Sequence, residues 1–166
     1  MIFLTIGTQE PFDRLIRAVD ELVAEGAFQD DVVGQVGYGY SPKHFRSCPI
    51  MDKSDFDGYM KQSEFVISHA GMGSIITAHT LRKPMIVMPR LKKYREHVND
   101  HQLYTACKFE ELGVIMTARD KPELKGKSIL MQTFKPVLRD SDIDGLIRCI
   151  SDFLEVQSRI ALGSRR

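Results

Sequence analysis

Residues 65–89 constrain the fold more than any other stretch of the chain. A short apolar run, Phe65-Val66-Ile67, leads into the turn Ser68-His69-Ala70-Gly71-Met72-Gly73-Ser74. A segment of helical character follows over 75–81, a break falls at Lys83-Pro84, and a second apolar run, Met85-Ile86-Val87-Met88, closes the unit. Strand, glycine-rich turn, helix, strand is a βαβ pattern. Its turn lies at the carboxyl edge of a parallel sheet, the edge where open α/β sheets bind ligands. Gly71 and Gly73 carry no side chain, so a second molecule can approach the backbone there. Ser74 is placed to cap the helix, and the free N–H groups of a first helical turn form an anion site. A tight turn calls for the same two glycines, so the residues alone leave both readings open.

The rest of the chain repeats the alternation. Residues 2–6 read as a strand, Gly7-Thr8 ends it, and 13–25 place Leu15, Ile16, Val19, Leu22 and Val23 on one helical face, with Gly26 as a stop. A second strand is expected over 32–38, irregular chain over 39–49, and a short helix over 55–63. Residues 90–99 are dense in charge (Arg90, Lys92, Lys93, Arg95, Glu96, His97) and lie between a strand and a helix, so they too belong to the carboxyl edge. A helix over 100–112, a strand over 114–116 and a helix within 127–135 follow. In the last helix Ile143, Leu146, Ile147, Ile150 and Leu154 fall at i, i+3, i+4, i+7 and i+11. The expectation is a single Rossmann-like α/β domain over 1–157, a mostly parallel sheet with helices on both faces, and a basic tail over 158–166.

Composition removes several classes. The hydrophobic share of 43% and charged share of 27% are those of an ordinary globular protein, and a net charge of +1 gives no reason to expect nucleic acid as a partner. The amino terminus reads as a strand rather than a secretory leader, and no apolar run reaches the ~20 residues of a membrane span. Cys48, Cys107 and Cys149 are scattered, with no C-x-x-C, and read as buried thiols of a reducing compartment. Gly71-Met72-Gly73 lacks the third glycine of G-x-G-x-x-G, a Walker loop is absent, and Ser74 is not in a G-x-S-x-G elbow. Asp140-Ser141-Asp142 resembles a metal-holding D-x-D but precedes an amphipathic helix, where Asp142 is a natural cap. His97 and His101 stand four apart, with no third ligand evident, so neither a metal nor another cofactor is expected.

Three features survive, all at one sheet edge: Gly7-Thr8 after the first strand, His69 to Ser74, and Glu96 to Gln102. His69 can donate to a phosphate or be tied up within its own turn. Asn99 and Asp100 offer polar groups where a helix starts, although Asp100 also suits a cap. Gln102, one turn in, suits a hydroxyl-rich ligand. Amide donors, helix N-termini and a few polar side chains suit a nucleoside diphosphate held without a dedicated metal.

On these residues the chain resembles the carboxyl-terminal, donor-binding half of GT-B glycosyltransferases of family 28. The opening Met1-Ile2-Phe3-Leu4-Thr5-Ile6-Gly7-Thr8-Gln9-Glu10-Pro11-Phe12-Asp13-Arg14-Leu15-Ile16 is similar to the small catalytic subunits of two-component glycosyltransferases. One kind acts in bacterial capsule and exopolysaccharide assembly, the other on the dolichol-linked core. Ser68 to Ser74 and Glu96-His97-Val98-Asn99-Asp100-His101-Gln102 are similar to the bacterial group. The resemblance implies that Gly7, Thr8, His69, Ala70, Gly71, Met72, Gly73 and Ser74 surround the diphosphate of a UDP-sugar, and that Asn99, Asp100 and Gln102 face its sugar and ribose. Where single-chain relatives have a ribose-binding glutamate, this sequence has Thr77. Ile50-Met51 lies near where relatives seat the uracil.

The resemblance further implies an inverting transfer of a sugar from a UDP-sugar to a polyprenyl-diphosphate-linked acceptor. A complete GT-B enzyme has two Rossmann-like domains, and this chain has room for one. The other half, with the acceptor site and a membrane anchor, would be a second subunit. That subunit would hold this chain, otherwise cytoplasmic, at the inner membrane, with Gly7 to Phe12 and Glu96 to His101 near the seam. The catalytic base is unassigned because in this fold it usually belongs to the acceptor half. Two rivals remain on sequence grounds: a non-catalytic enhancer of a partner transferase, and an unrelated nucleotide-binding Rossmann domain.

Overall fold

The computed structural model describes residues 1–137. The last amphipathic helix, Asp140 and Asp142, Cys149 and the basic tail fall outside the described residues. Within them the chain runs β1 (Ile2–Thr5), α1 (Asp13–Ala24), β2 (Val32–Gln35), β3 (Arg46–Cys48), α2 (Lys53–Gln62), β4 (Phe65–His69), α3 (Met72–Thr80), β5 (Met85–Met88), a single 3-10 turn (Lys92–Tyr94), α4 (His101–Glu111), β6 (Met116–Thr117) and α5 (Lys121–Leu130).

The six strands form one parallel sheet in the order β3-β2-β1-β4-β5-β6. The sequence order therefore reverses between β1 and β4, which sit side by side with Ile2 opposite Phe65 and Thr5 opposite Ser68. That switch point opens a crevice at the carboxyl ends of the two strands, bounded by the β1–α1 and β4–α3 turns.

Both faces of the sheet are covered, which is why its central strands are near-continuous apolar runs up to their polar carboxyl ends, Thr5 and Ser68-His69, instead of alternating. Leu4, Ile67, Ile86 and Met88 point to one side and pack with Leu15, Ile16, Val19 and Leu22 of α1 and Leu124 of α5. Phe3, Val66, Met85 and Val87 point to the other and pack with Met60, Ile75, Ala78, Ala106 and Phe109 of α2, α3 and α4. Phe3 meets the ring edge of Phe56 at 5.4 Å and stacks on Tyr59 at 5.8 Å. Each such side chain contributes about 1.5–3 kcal/mol by leaving water. Gly26, at φ +66°, ends α1 with Gly26 N–H donating to Val23 O and Ala27 N–H to Leu22 O, the stop expected from sequence.

Four local expectations are corrected. Ser74 does not cap α3: the helix begins at Met72, Gly71 holds the extended cap position (φ −87°, ψ 133°), and Ser74 lies inside the first turn. A third strand, β3, runs through the stretch expected to be irregular. Arg-Ser-Cys is a polar three-residue edge strand with no apolar pattern to announce it. α5 starts at Lys121, ahead of the expected 127–135, because Asp120 accepts from Glu123 N–H at 2.9 Å and Pro122 occupies the first turn, where proline is tolerated. Cys48 and Cys107 are half-buried, not buried, and burial still pushes the Cys48 thiol up.

Candidate functional site

The polar residues buried at the carboxyl edge each hold a loop in place. Thr5 ends β1, fully buried, and its Oγ1 accepts from Gly7 N–H at 3.2 Å. Gln35 ends β2; its Nε2 donates to Gly7 O at 3.2 Å and its Oε1 accepts from Met51 N–H at 2.9 Å. Gly7 thus turns at φ +76° between two fixed points, and Thr8, Gln9 and Glu10 stand exposed beyond it. Ile50 is half-exposed beside Met51, on the same edge.

His69 is the centre of the crevice. Its ring lies between the two turns: a Cβ built on Gly71 would come 2.1 Å from Nε2, and one on Gly7 would come 2.9 Å from Cε1. Gly71 is therefore required by the imidazole itself. Gly73 is different: a Cβ there would meet nothing within 4 Å, and the residue is exposed. Ser68 Oγ sits 3.3 Å from His69 Nδ1. Burial pushes the imidazole down to about 4, with the nearby Arg90 cation adding to the shift and the Thr5 backbone opposing it. His69 is thus a neutral ring at physiological pH, able to donate one hydrogen bond but carrying no charge.

The start of α3 is uncapped by any side chain among the described residues. Its first backbone bond with the cap residue runs from Ile75 N–H to Gly71 O at 3.2 Å. The amides of Met72, Gly73 and Ser74 precede that bond and lie beside the half-buried Gly71 and exposed Gly73, with Ala70 buried behind them. Three converging N–H groups at the positive end of a helix make a seat for an anion. Thr77 spends its hydroxyl on Gly73 O at 2.8 Å.

The β5–α4 loop is built differently. Asn99 Oδ1 accepts from His101 N–H at 3.2 Å and lies 2.5 Å from His101 Nδ1. Asp100 occupies the cap position of α4, yet its Oδ1 accepts from Lys92 N–H at 2.7 Å and not from the helix. Gln102, expected to face a ligand, is buried with Oε1 accepting from Arg90 N–H at 3.1 Å; of the three, Asn99 and Asp100 remain at the surface. The rings of His97 and His101 meet edge-on at 4.4 Å, and burial and His97 hold His101 below its usual range. No group of three metal-ligating side chains occurs among the described residues.

The bonds of two arginines and a glutamate were not legible in the sequence. Arg14 donates through Nε and Nη2 to the two oxygens of Glu96 at 2.7 and 2.8 Å, through Nη2 to Pro89 O, and through Nη1 to Arg119 O, so it ties α1 to two neighbouring loops. Glu96 Oε2 also accepts from Leu91 N–H at 3.0 Å. Arg90, read from sequence only as one of the charges at the carboxyl edge, is 3% exposed. The sole hint in the sequence was its place directly after the strand end, at Pro89-Arg90.

A cavity of about 700 Å³ opens between α1 and the loops after β5 and β6. Its lining balances five bases (Arg14, Arg17, Arg95, Arg119, Lys121) against five acids (Glu10, Asp13, Glu21, Glu96, Asp120), so it has no excess charge for an anion. None of His69 to Ser74 lines it. The cavity is therefore separate from the open edge at α3.

A six-stranded parallel sheet with its reversal at β1/β4 and bare helix amides over it is the architecture of a GT-B glycosyltransferase C-terminal domain. Residues 1–127 match the glycosyltransferase family 28 C-terminal domain, and the chain belongs to that family. It is 39% identical over 57 residues to the UDP-N-acetylglucosamine transferase subunit ALG13 of Debaryomyces hansenii, covering 32% of this chain and 27% of that protein. It is likewise 39% identical over 69 residues to the subunit of the same name from Cryptococcus neoformans, covering 39% of this chain and 32% of that one. The matches thus span less than a third of these relatives' length. Among solved structures, the solution structure of ALG13 superposes with a TM-score of 0.60 at 21% identity, over 90% of this chain and 94% of that one. Acinetobacter baumannii MurG superposes at 0.55 and 15% identity, over 78% and 40%. The Staphylococcus aureus MnaA–UDP structure gives 0.55 and 16%, over 80% and 36%. At these identities the structural likeness establishes the fold.

Proposed function

We propose that this chain is the donor-binding catalytic subunit of an inverting glycosyltransferase. It takes a UDP-sugar and works with a membrane-anchored subunit that presents a polyprenyl-diphosphate-linked acceptor, in polysaccharide assembly. The observation that carries the reading is the uncapped N-terminus of α3 at the switch point of the sheet. Its amides of Met72, Gly73 and Ser74 are free for a diphosphate, and Gly73 leaves open space above them. Fixed amides that bind the leaving UDP more tightly as its charge develops lower the barrier to displacement at the anomeric carbon. Gly7 and Thr8 face the same crevice from β1, His69 offers it a neutral N–H, and Asn99 and Asp100 border it from α4. Gln102 supports the loop from beneath.

Geometry supports a partner. Near-attack alignment needs a second surface opposite the donor. The described residues build one sheet layer with its crevice open to that side. No helix among them is long and apolar enough to cross a membrane, so a membrane acceptor would be brought by the partner. The relatives' designation as transferase subunits supports that division of labour.

Calorimetric titration of the purified chain with UDP and UDP-sugars, followed by addition of membranes carrying the partner, tests the reading. UDP binding without turnover, and transfer to the lipid-linked acceptor once the partner is present, is the expected result. Partner binding with no nucleotide affinity would make the chain an enhancer. Transfer by the chain alone at a rate the partner does not raise would remove the two-subunit scheme.

A further inference from the structure

Arg90 is a buried cation with no ion pair among the described residues; the carboxylates of Glu96 and Glu10 act on it from beyond contact distance. Its guanidinium donates through Nη2 to two carbonyls, Ile6 O at 2.9 Å and Glu10 O at 2.5 Å, and lies 5.0 Å from the centre of the Phe12 ring. Nε is buried without a hydrogen-bond partner among the described residues. The carboxylate best placed to neutralise it, Glu96, is held by both nitrogens of Arg14. Glu10 contributes its carbonyl, and Glu10 itself is exposed. A charge removed from water with only carbonyl oxygens in hydrogen-bond contact is expensive to bury. Arginine is the side chain that stays charged in such a place.

Its position points to a use. Ile6, whose carbonyl Arg90 holds, precedes Gly7; Gly7 abuts the His69 ring; that ring abuts Gly71, the cap residue of α3. Arg90 thus lies behind the turn that borders this crevice, and its charge helps keep His69 neutral. We propose that Arg90 is the positioning and counter-charge residue for the diphosphate. It clamps the Gly7–Glu10 turn against the end of β5, and from beneath that turn its charge, only partly offset by Glu96 and Glu10, stabilises the anion seated on the α3 amides. This rests on the reading of the crevice as a diphosphate site. In water-poor surroundings a fixed cation acts over a longer range than at the surface, so direct contact with the phosphates is not required. A nucleoside diphosphate bound without a resident metal needs such a charge more than one bound with magnesium does.

The test separates charge from scaffolding by comparing ligands that share a nucleoside and differ in phosphate. Wild type, Arg90→Gln and Arg90→Lys are titrated with uridine, UMP and UDP by NMR. In wild type the affinity rises from uridine to UDP. In Arg90→Gln, UDP affinity falls at least tenfold while uridine affinity stays within twofold, and Arg90→Lys recovers most of the gap. Equal losses for uridine and UDP would make Arg90 a structural clamp only, and an unchanged UDP affinity in Arg90→Gln would overturn the proposal outright. If Arg90→Gln does not fold, the lysine variant decides alone. A buried lysine loses its proton at a lower pH than arginine, so UDP affinity should fall between pH 7.5 and 10 relative to uridine, in the variant and not in wild type. A UDP-to-uridine ratio with the same pH course in both proteins would sink it. Wild type that binds UDP no better than uridine would instead remove the diphosphate reading of the crevice itself, a failure visible before any variant is made.

Discussion

The β4–α3 turn and the β5–α4 loop leave neighbouring strands of one sheet at the same edge, yet they are opposite in chemistry. The first has two glycines and no side-chain cap among the described residues, and the amides at its helix start stay free. The second is rich in charge and consumes it: Glu96 is gripped by Arg14 and Leu91 N–H, Asp100 by Lys92 N–H, and Gln102 by Arg90 N–H. A binding surface has to leave donors unsatisfied until the ligand arrives, whereas a wall satisfies its own. By that test the bare turn fits the proposed seat and the charged loop a wall beside it. Charge density in the sequence pointed toward the wall.

The comparison can be broken first at the wall. Glu96→Ala leaves Arg14 with two carbonyls and no carboxylate, in a pair whose side chains are 23% and 10% exposed. Stability should fall by about 3 kcal/mol in urea unfolding, because a largely buried charge loses its partner. A loss under about 1 kcal/mol would place the pair with ordinary surface bridges instead.

An effect of similar size is expected from pH at the seat. The His69 imidazole titrates near 4 in the fold and at its ordinary 6.5 in the unfolded chain. Between those values the unfolded chain takes up a proton that the folded chain refuses. Stability is therefore fully present above pH 6.5, falls as pH drops toward 4, and levels off below, by up to about 3 kcal/mol from this one group. His69→Gln should flatten that part of the stability–pH curve; an identical slope in the variant would show that His69 titrates normally.

Gly71 and Gly73 then divide the seat between packing and binding. Gly71→Ala drives a methyl into the His69 ring and should destabilise by about 2 kcal/mol. The loss should largely vanish in a His69→Ala background, and persistence there would mean the glycine serves the backbone alone. Gly73→Val projects into open space. Its melting temperature should barely move while UDP affinity drops at least tenfold, about 1.4 kcal/mol. Undiminished UDP binding in that variant would leave the α3 amides without a ligand.

The sequence by itself determined a great deal here. Runs such as Phe65-Val66-Ile67 and Met85-Ile86-Val87-Met88 are apolar on both faces, which only a doubly covered parallel sheet accommodates, and the helical stripe of α1 was legible for the same reason. The turns after β1 and β4 were legible as a shared edge because topology fixes where strand-to-helix turns lie. What sequence could not decide was the partner of each polar group. Ser74 looked like a cap and lies inside the first turn, and the bond between Gln102 and Arg90 N–H had no signal in the sequence. Gly71 looked like an opening for a ligand and proves to be room for a histidine. Hydrophobic periodicity is a local property, repeated at each residue and readable along the chain. The bonds of Arg14 to Glu96, Gln35 to Gly7 and Arg90 to Ile6 join residues far apart in sequence. They exist only once the sheet has set those loops side by side.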